Sequence, residues 1–172
     1  MTIALLFSFL GDSFLMYEGE TWFILGLSSF FVTHIAYSVL FAKQGGSYLK
    51  ERWWIILMLV AYGIGFIYCL KYFMGGTQKE AFLIPISAYA IAIVLMALTA
   101  INRYRNISDS SYQWVLIGAL LFIISDSLIG INKFVIELPT HGIGVLLTYY
   151  IAQYCITLGY LDSLHAKEYF DS

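Results

Sequence analysis

The 172-residue chain is predicted to be an all-α, polytopic transmembrane helical bundle, and three observations carry that expectation. First, 60% of its residues are hydrophobic and only 12% are charged, against about 45–50% and about 25% in a typical soluble domain. Second, the apolar residues gather into six stretches, with nearly all the charge confined to the breaks between them. Third, the stretches neither alternate in polarity nor stop at half this length, as the strands of a membrane β-barrel would.

The first stretch, 2–16, is short for a span. Even counted from Met1, sixteen helical residues cover roughly 24 Å, against roughly 30 Å of hydrocarbon. This helix therefore starts partway across a membrane, or residues once preceded Met1. It also lacks the basic n-region and small-residue cleavage site of a signal peptide. The other five stretches run 22–42, 53–70, 82–101, 112–131 and 142–161, each 18–21 residues long, which is the length a membrane helix needs. Between them lie YEGE (17–20), KQGGSYLKER (43–52), KYFMGGTQKE (71–80), NRYRNISDSS (102–111) and NKFVIELPTH (132–141). No break can hold a soluble domain, so 1–172 reads as a single integral membrane domain of six helices joined by hairpins.

Smaller signals agree with this plan. Pro85 falls in the first turn of its helix, where a missing N–H costs little. Trp22, Trp53, Trp54 and Trp114 each open a span, where interfacial belts place them. Lys43, Lys50, Arg52, Arg103, Arg105 and Lys167 lie on one side, and Lys71, Lys79 and Lys133 on the other. Positive charge favours the cytoplasmic side. The expectation is a multi-pass protein of a bacterial cytoplasmic membrane with both chain ends in the cytoplasm. A net charge of -2, with nine basic residues that nowhere bunch, excludes a nucleic-acid partner. Cys69 and Cys155 lie in apolar runs without metal-type spacing, so core packing is expected for both.

Against this background Asp12 and Asp126 stand out, because each lies deep in an apolar run. A carboxylate in hydrocarbon costs several kcal/mol at least and normally faces a cavity, a partner or a substrate. Slid by 114 positions, ALLFSFLGDSFL lies over GALLFIISDSLI with Asp on Asp and Ser13 on Ser127. The pattern suggests one element used twice. Counted from the predicted ends on the non-cytoplasmic side, Asp12 is roughly 6 Å deep and Asp126 roughly 8 Å. His34 and Tyr37 share a face of the second helix. The last helix brings in Thr148, Tyr149, Tyr150 and Gln153. One polar pocket is thus expected, lined by Asp12, His34, Asp126 and part of the Tyr149–Gln153 group.

Plainer roles compete at each position. A membrane Asp often serves as interhelical glue, and His34 could make a packing hydrogen bond instead of doing chemistry. Tyr37 reads as a carboxylate's hydrogen-bond partner. Tyr149 and Tyr150 point differently, so at most one should line the pocket. One buried histidine and two separated aspartates do not form a dedicated metal-ligand set, and no cofactor is implied. Two carboxylates in a low-dielectric pocket suit acid–base work such as protonating an ether-type substrate. Proton or ion translocation would use the same physics.

The order and spacing of several motifs resemble the YhhN/TMEM86 family of integral membrane proteins, which includes the lysoplasmalogenases. The likeness lies in SFLGDSFLM (8–16), FILGLSSFFVTHIAYSVLF (23–41), PISAYAIAIVLMALTA (85–100), GALLFIISDSLIGINKF (118–134) and TYYIAQYCITLG (148–159). Its most specific parts are Gly11-Asp12, the H-x-x-Y of His34 to Tyr37, and Ser125-Asp126. Family members are predicted to have eight helices, and this chain matches the last six. The first two, with a Lys-Pro motif, have no counterpart here. The resemblance implies hydrolysis of the vinyl ether bond of lysoplasmalogens, giving a fatty aldehyde and glycerophosphoethanolamine or glycerophosphocholine. Its partners would be a lysophospholipid substrate and membrane lipids. In that reading Asp12, Asp126 and His34 are catalytic, with Asp126 the expected acid, and Tyr37, Tyr149, Tyr150 and Gln153 hold the substrate. A transporter or a lysolipid-binding protein without turnover are the competing classes.

Overall fold

Every predicted stretch folds as a helix. The computed structural model describes residues 1–137 and 141–171, with side chains other than those of His141 and 166–171. The side chain of Lys167, one of the cations weighed for orientation, lies outside the described residues. The helices are α1 (Thr2–Leu15), α2 (Glu20–Ala42), the single turn α3 (Tyr48–Glu51), α4 (Trp53–Met74), α5 (Leu83–Ile101), α6 (Asp109–Phe134) and α7 (His141–Asp171), with a 3-10 turn at Gln78–Phe82 before α5.

Among the described residues five helices, α2 and α4–α7, are long and apolar enough to cross a membrane, and the sixth expected span, α1, is a shorter apolar helix. With 14 residues, α1 reaches only about 21 Å, short of the hydrocarbon thickness. The spans also outrun their predicted ends. Residues 132–134 continue α6 to Phe134 despite their polarity, and α4 continues to Met74, stopping at Gly75. At its start α6 is capped by Ser108, whose side chain accepts from the Ser111 amide, and Asp109 adds a favourable charge in the first turn. Pro85 falls in the first turn of α5 as expected.

α2 lies against both α1 and α5, while α6 pairs with α7 along a seam of small residues. At Gly118 a Cβ would come within 2.8 Å of the Ala152 carbonyl oxygen, and at Gly159 within 2.8 Å of the Ser111 carbonyl oxygen. Only glycine allows backbones that close. The main core gathers Phe30, Tyr37, Phe41, Met96, Phe122 and Ile156. A second cluster, around Phe23, Leu70, Met74, Phe82 and Phe134, closes one end. α4 buries only Gly63, Leu70 and Met74, and its outer face is hydrocarbon-like. Cys69 is exposed on this helix, contrary to the expected core role, whereas Cys155 is buried.

At the far end of the bundle, the 43–52 and 102–108 connections are tied together. Asn102 Nδ2 donates to the Gly46 carbonyl at 2.7 Å, and Asn106 Nδ2 to the Gln44 carbonyl at 2.8 Å. Arg103 is fully buried there. Its Nε donates to Gln44 Oε1 at 3.0 Å, its Nη2 donates to Ser111 Oγ at 2.8 Å, and its guanidinium lies over the Phe41 ring. Burial pushes Arg103 down to about 10. One of the six cations used to orient the chain is therefore a structural tie between connections.

Candidate functional site

At the opposite end, where α1 and α6 finish and α2 and α7 begin, a vestibule opens. Its empty volume is 1870 Å³, counting the open side. Asp12, Asp126, Tyr149 and Tyr150 line it, with Glu18 and Lys133 also on its wall. Asp12 stands three residues before the end of α1, and Asp126 eight before the end of α6. At 1.5 Å per residue these are roughly 4–5 Å and 12 Å, so the extra turn on α6 sets Asp126 deeper than expected.

Asp126 is the hub of one cluster. The Tyr89 hydroxyl donates to its Oδ2 at 2.7 Å. His34 Nε2 lies 3.1 Å from the same oxygen and 2.9 Å from the Tyr89 hydroxyl. With Tyr89 giving its only proton to the carboxylate, it can only accept from His34. Nε2 therefore carries a proton and is shared between the two oxygens. Nδ1 faces the Met96 sulfur at 3.3 Å. Three helices meet in this cluster: α2 supplies His34, α5 Tyr89 and α6 Asp126. The histidine is fully buried, and the Asp126 side chain is 10% exposed.

Asp12 is the hub of a second cluster. The Tyr149 hydroxyl donates to its Oδ2 at 2.8 Å. Behind Tyr149, Gln153 Nε2 donates to the same hydroxyl at 3.4 Å and to Ser8 Oγ, and the Tyr37 hydroxyl donates to Gln153 Oε1. Ser8 Oγ in turn donates to Thr33 Oγ1 at 3.3 Å. The Phe122 ring lies edge-on to both His34 and Tyr149, a dry partition between the clusters.

This geometry sorts the sequence candidates. Asp12, Asp126, Tyr149 and Tyr150 face the vestibule. Both tyrosines line it, which corrects the expectation of at most one: Tyr149 is buried, and Tyr150 is an exposed ring tilted against it. His34, Tyr37 and Gln153 sit behind the wall, and Tyr37 serves Gln153 instead of a carboxylate. Thr148 Oγ1 returns to the Gly144 carbonyl of its own helix. The chain's own polar atoms are well matched, and among the described residues no buried side-chain polar atom lacks a partner.

The chain matches the YhhN family over residues 1–160. It belongs to that family. Among known YhhN-type relatives, the human lysoplasmalogenase TMEM86A is 31% identical over 98% of this chain and 68% of its own length. Its bovine counterpart is 30% identical over 96% of this chain and 67% of its own length. The lysoplasmalogenase of Mycobacterium bovis is 29% identical over 91% of this chain, and the match spans 58% of its own length. No solved structure matches this YhhN chain.

Sequence reasoning passed over Tyr89, Ser8 and Thr33. The signal for Tyr89 was present. It lies on the buried stripe of α5 with Ile86, Ile93 and Met96, and it is the one member of that stripe carrying a hydroxyl. A polar group on an otherwise apolar buried stripe needs a partner.

Proposed function

We propose that this YhhN-family protein hydrolyses the vinyl ether bond of lysoplasmalogens, releasing a fatty aldehyde and glycerophosphoethanolamine or glycerophosphocholine. The observation that carries this reading is a pair of aspartates facing one vestibule, each held by a tyrosine from another helix. The relatives' names supply the substrate class. The chain acts as one integral membrane domain with both ends on the cytoplasmic side, so the vestibule opens toward the opposite face.

The donors support a division of roles. Asp126 accepts from Tyr89 and lies against His34 Nε2, whereas among the described residues Asp12 has one donor, Tyr149. Hydrogen bonds from two donors favour a carboxylate's ionised form. Asp126 is therefore the anion that stabilises developing positive charge, and Asp12 is the acid, the reverse of the sequence expectation. Asp12 delivers its proton to the vinyl carbon distal to oxygen. The double bond's electrons form the new C–H bond, leaving an oxocarbenium ion beside Asp126. Water adds to the cationic carbon and gives a proton back to a carboxylate, forming a hemiacetal. The hemiacetal loses its hydroxyl proton, the C–O bond to glycerol breaks, and the leaving oxygen is protonated. The net change is vinyl ether plus water to aldehyde plus alcohol. His34 touches Asp126 and not the vestibule, so it is a positioning residue, as are Tyr37 and Gln153 for Tyr149. Tyr150 and Lys133 border the head group.

Aldehyde release by the purified protein, on lysoplasmenylethanolamine and on the matched saturated alkyl-ether lipid, tests the proposal. Aldehyde from the vinyl ether alone is the expected result. Lysolipid flux into liposomes without turnover would instead make the protein a carrier.

A further inference from the structure

At the end of the bundle opposite the vestibule, a cleft lies between the end of α2, the 102–108 connection and the last turns of α7. It has about 660 Å³ of room, within the range of ligand sites, about 300–1,000 Å³. We infer that this cleft binds a phosphate-bearing anion, the head group of an acidic phospholipid at the membrane surface. Such a site stands apart from the vestibule and its chemistry.

Three observations carry it. First, the walls are tied to one another, and the polar groups left over are donors. Gln44 accepts from Arg103 Nε through its side chain and from Asn106 Nδ2 through its carbonyl, and its Nε2 donates to Ser163 Oγ on α7 at 2.9 Å. Ser108 Oγ donates to Asp162 Oδ2 at 3.1 Å. The lining side chains whose polar ends find no hydrogen-bond or ion-pair partner among the described residues are Lys43, Arg105 and Tyr160. Each can donate, and two are cations. The Arg105 guanidinium lies over the Tyr104 ring, 5.4 Å from its centre, which leaves its N–H edge free. Among the described residues no carboxylate lines the cleft, and Asp162 pairs with neither cation. Unspent donors with positive charge suit a phosphate, whose oxygens a guanidinium can take two at a time.

Second, Arg105 is the one non-glycine among the described residues with a positive φ, 63°. A Cβ makes that backbone region unfavourable, and glycine would fill it without strain. The turn therefore does not ask for arginine, and a ligand for its side chain does. Third, the cleft sits where lipid phosphates lie. Lys43 follows the last residue of α2, and Tyr160, Ser163 and Leu164 fall in the last turns of the α7 span, which ends at His165. Leu40 and Leu164 give the cleft an apolar side, with Leu161 exposed nearby on α7. A soluble anion has no use for that side, whereas the glycerol and chains of a lipid do. With both chain ends in the cytoplasm this surface faces the inner leaflet, where acidic lipids gather basic groups.

Native mass spectrometry of the purified full chain, released from micelles holding equal phosphatidylglycerol and phosphatidylcholine, tests the site. The expected result is retention of phosphatidylglycerol over phosphatidylcholine by about tenfold or more, and a melting temperature raised by phosphatidylglycerol alone. Lys43→Gln combined with Arg105→Gly removes both charges, and glycine keeps the backbone of the turn. That variant should lose the preference and the thermal shift. Lys50→Gln combined with Arg52→Gln, at the same end but outside the cleft, should keep both. Equal retention of the two lipids by the wild type, a preference that survives in the cleft variant, or the same loss in the Lys50 and Arg52 control overturns the site. Glycerol 3-phosphate and inorganic phosphate are the soluble competitors. Failure of either to displace the lipid supports the lipid source, and displacement at millimolar concentration overturns it in favour of a soluble anion. If the double variant does not fold, Lys43→Gln and Tyr160→Phe singly decide, each lowering the preference if the cleft holds the lipid.

Discussion

Asp12 and Asp126 each lie in an apolar helix with a serine next in sequence, yet the fold wires them differently. Each is followed by a serine that bonds back to the carbonyl four residues earlier, Ser13 to Phe9 and Ser127 to Ile123. Each accepts from a tyrosine on a distant helix, Tyr149 for Asp12 and Tyr89 for Asp126. The difference is the third group. Asp126 has a fully buried histidine against the same oxygen as its tyrosine, whereas beyond Tyr149 the Asp12 cluster continues into neutral amide and hydroxyl groups. Two chemically identical side chains thereby differ in the groups that face them, a tyrosine and a histidine at Asp126 and a tyrosine at Asp12. The proposed acid–base pair needs two carboxyl groups in unlike surroundings.

The comparison breaks most sharply at the aspartates themselves. Asp12→Asn and Asp126→Asn should each lower kcat by about 10²–10⁴-fold, the range of a positioned acid–base group, with melting temperatures close to wild type. Wild-type turnover in either folded variant would end the paired-carboxylate account. Next in size is His34→Ala, which removes a hydrogen-bond partner of an ionised group, worth about 1.5–3 kcal/mol. It should reduce kcat by about ten- to a hundredfold with little change in KM. His34→Gln, whose amide can still donate, should recover part of the loss. A purely packing role for His34 would predict no such recovery.

The tyrosines sharpen the contrast. Tyr149→Phe takes the one described donor from Asp12, whereas Tyr89→Phe leaves Asp126 with His34. The first should therefore cost more kcat than the second, within the same range of about 1.5–3 kcal/mol. Equal losses would mean that the two clusters are not wired for different tasks. Smallest is Lys133→Gln at the vestibule wall, where Lys133 Nζ lies 5.2 Å from the Phe23 ring centre. A partly solvated contact to the lipid phosphate should raise KM roughly two- to fivefold and leave kcat alone.

Much of this arrangement could be read from the chain before its fold was known. The apolar stretches place every long helix, because length and composition suffice for a helix that satisfies its own backbone in lipid. Asp12, Asp126, His34 and Tyr149 were legible because polar atoms in such stretches need partners. Depth was not. Asn132 and Lys133 looked like a break but continue α6 to Phe134, which moved Asp126 inward. Tyr89 was hidden by its own chemistry, since a tyrosine in an apolar run packs or anchors as readily as it donates. α1 has the composition of a membrane helix at only 14 residues, and its stretch was read as a span on composition. Tyr37 illustrates the remaining gap: spacing along one helix gave its face, but only tertiary packing could choose Gln153 over a carboxylate as its partner.

The most direct test of the central claim is turnover of a vinyl ether lysolipid in D2O, with the aldehyde trapped by reduction as it forms. Protonation of the vinyl carbon by a solvent-exchanged carboxyl group predicts one deuterium on the carbon next to the former carbonyl, and slower turnover than in H2O. Product without deuterium at that carbon, or equal cleavage of the saturated alkyl-ether lipid, would contradict it.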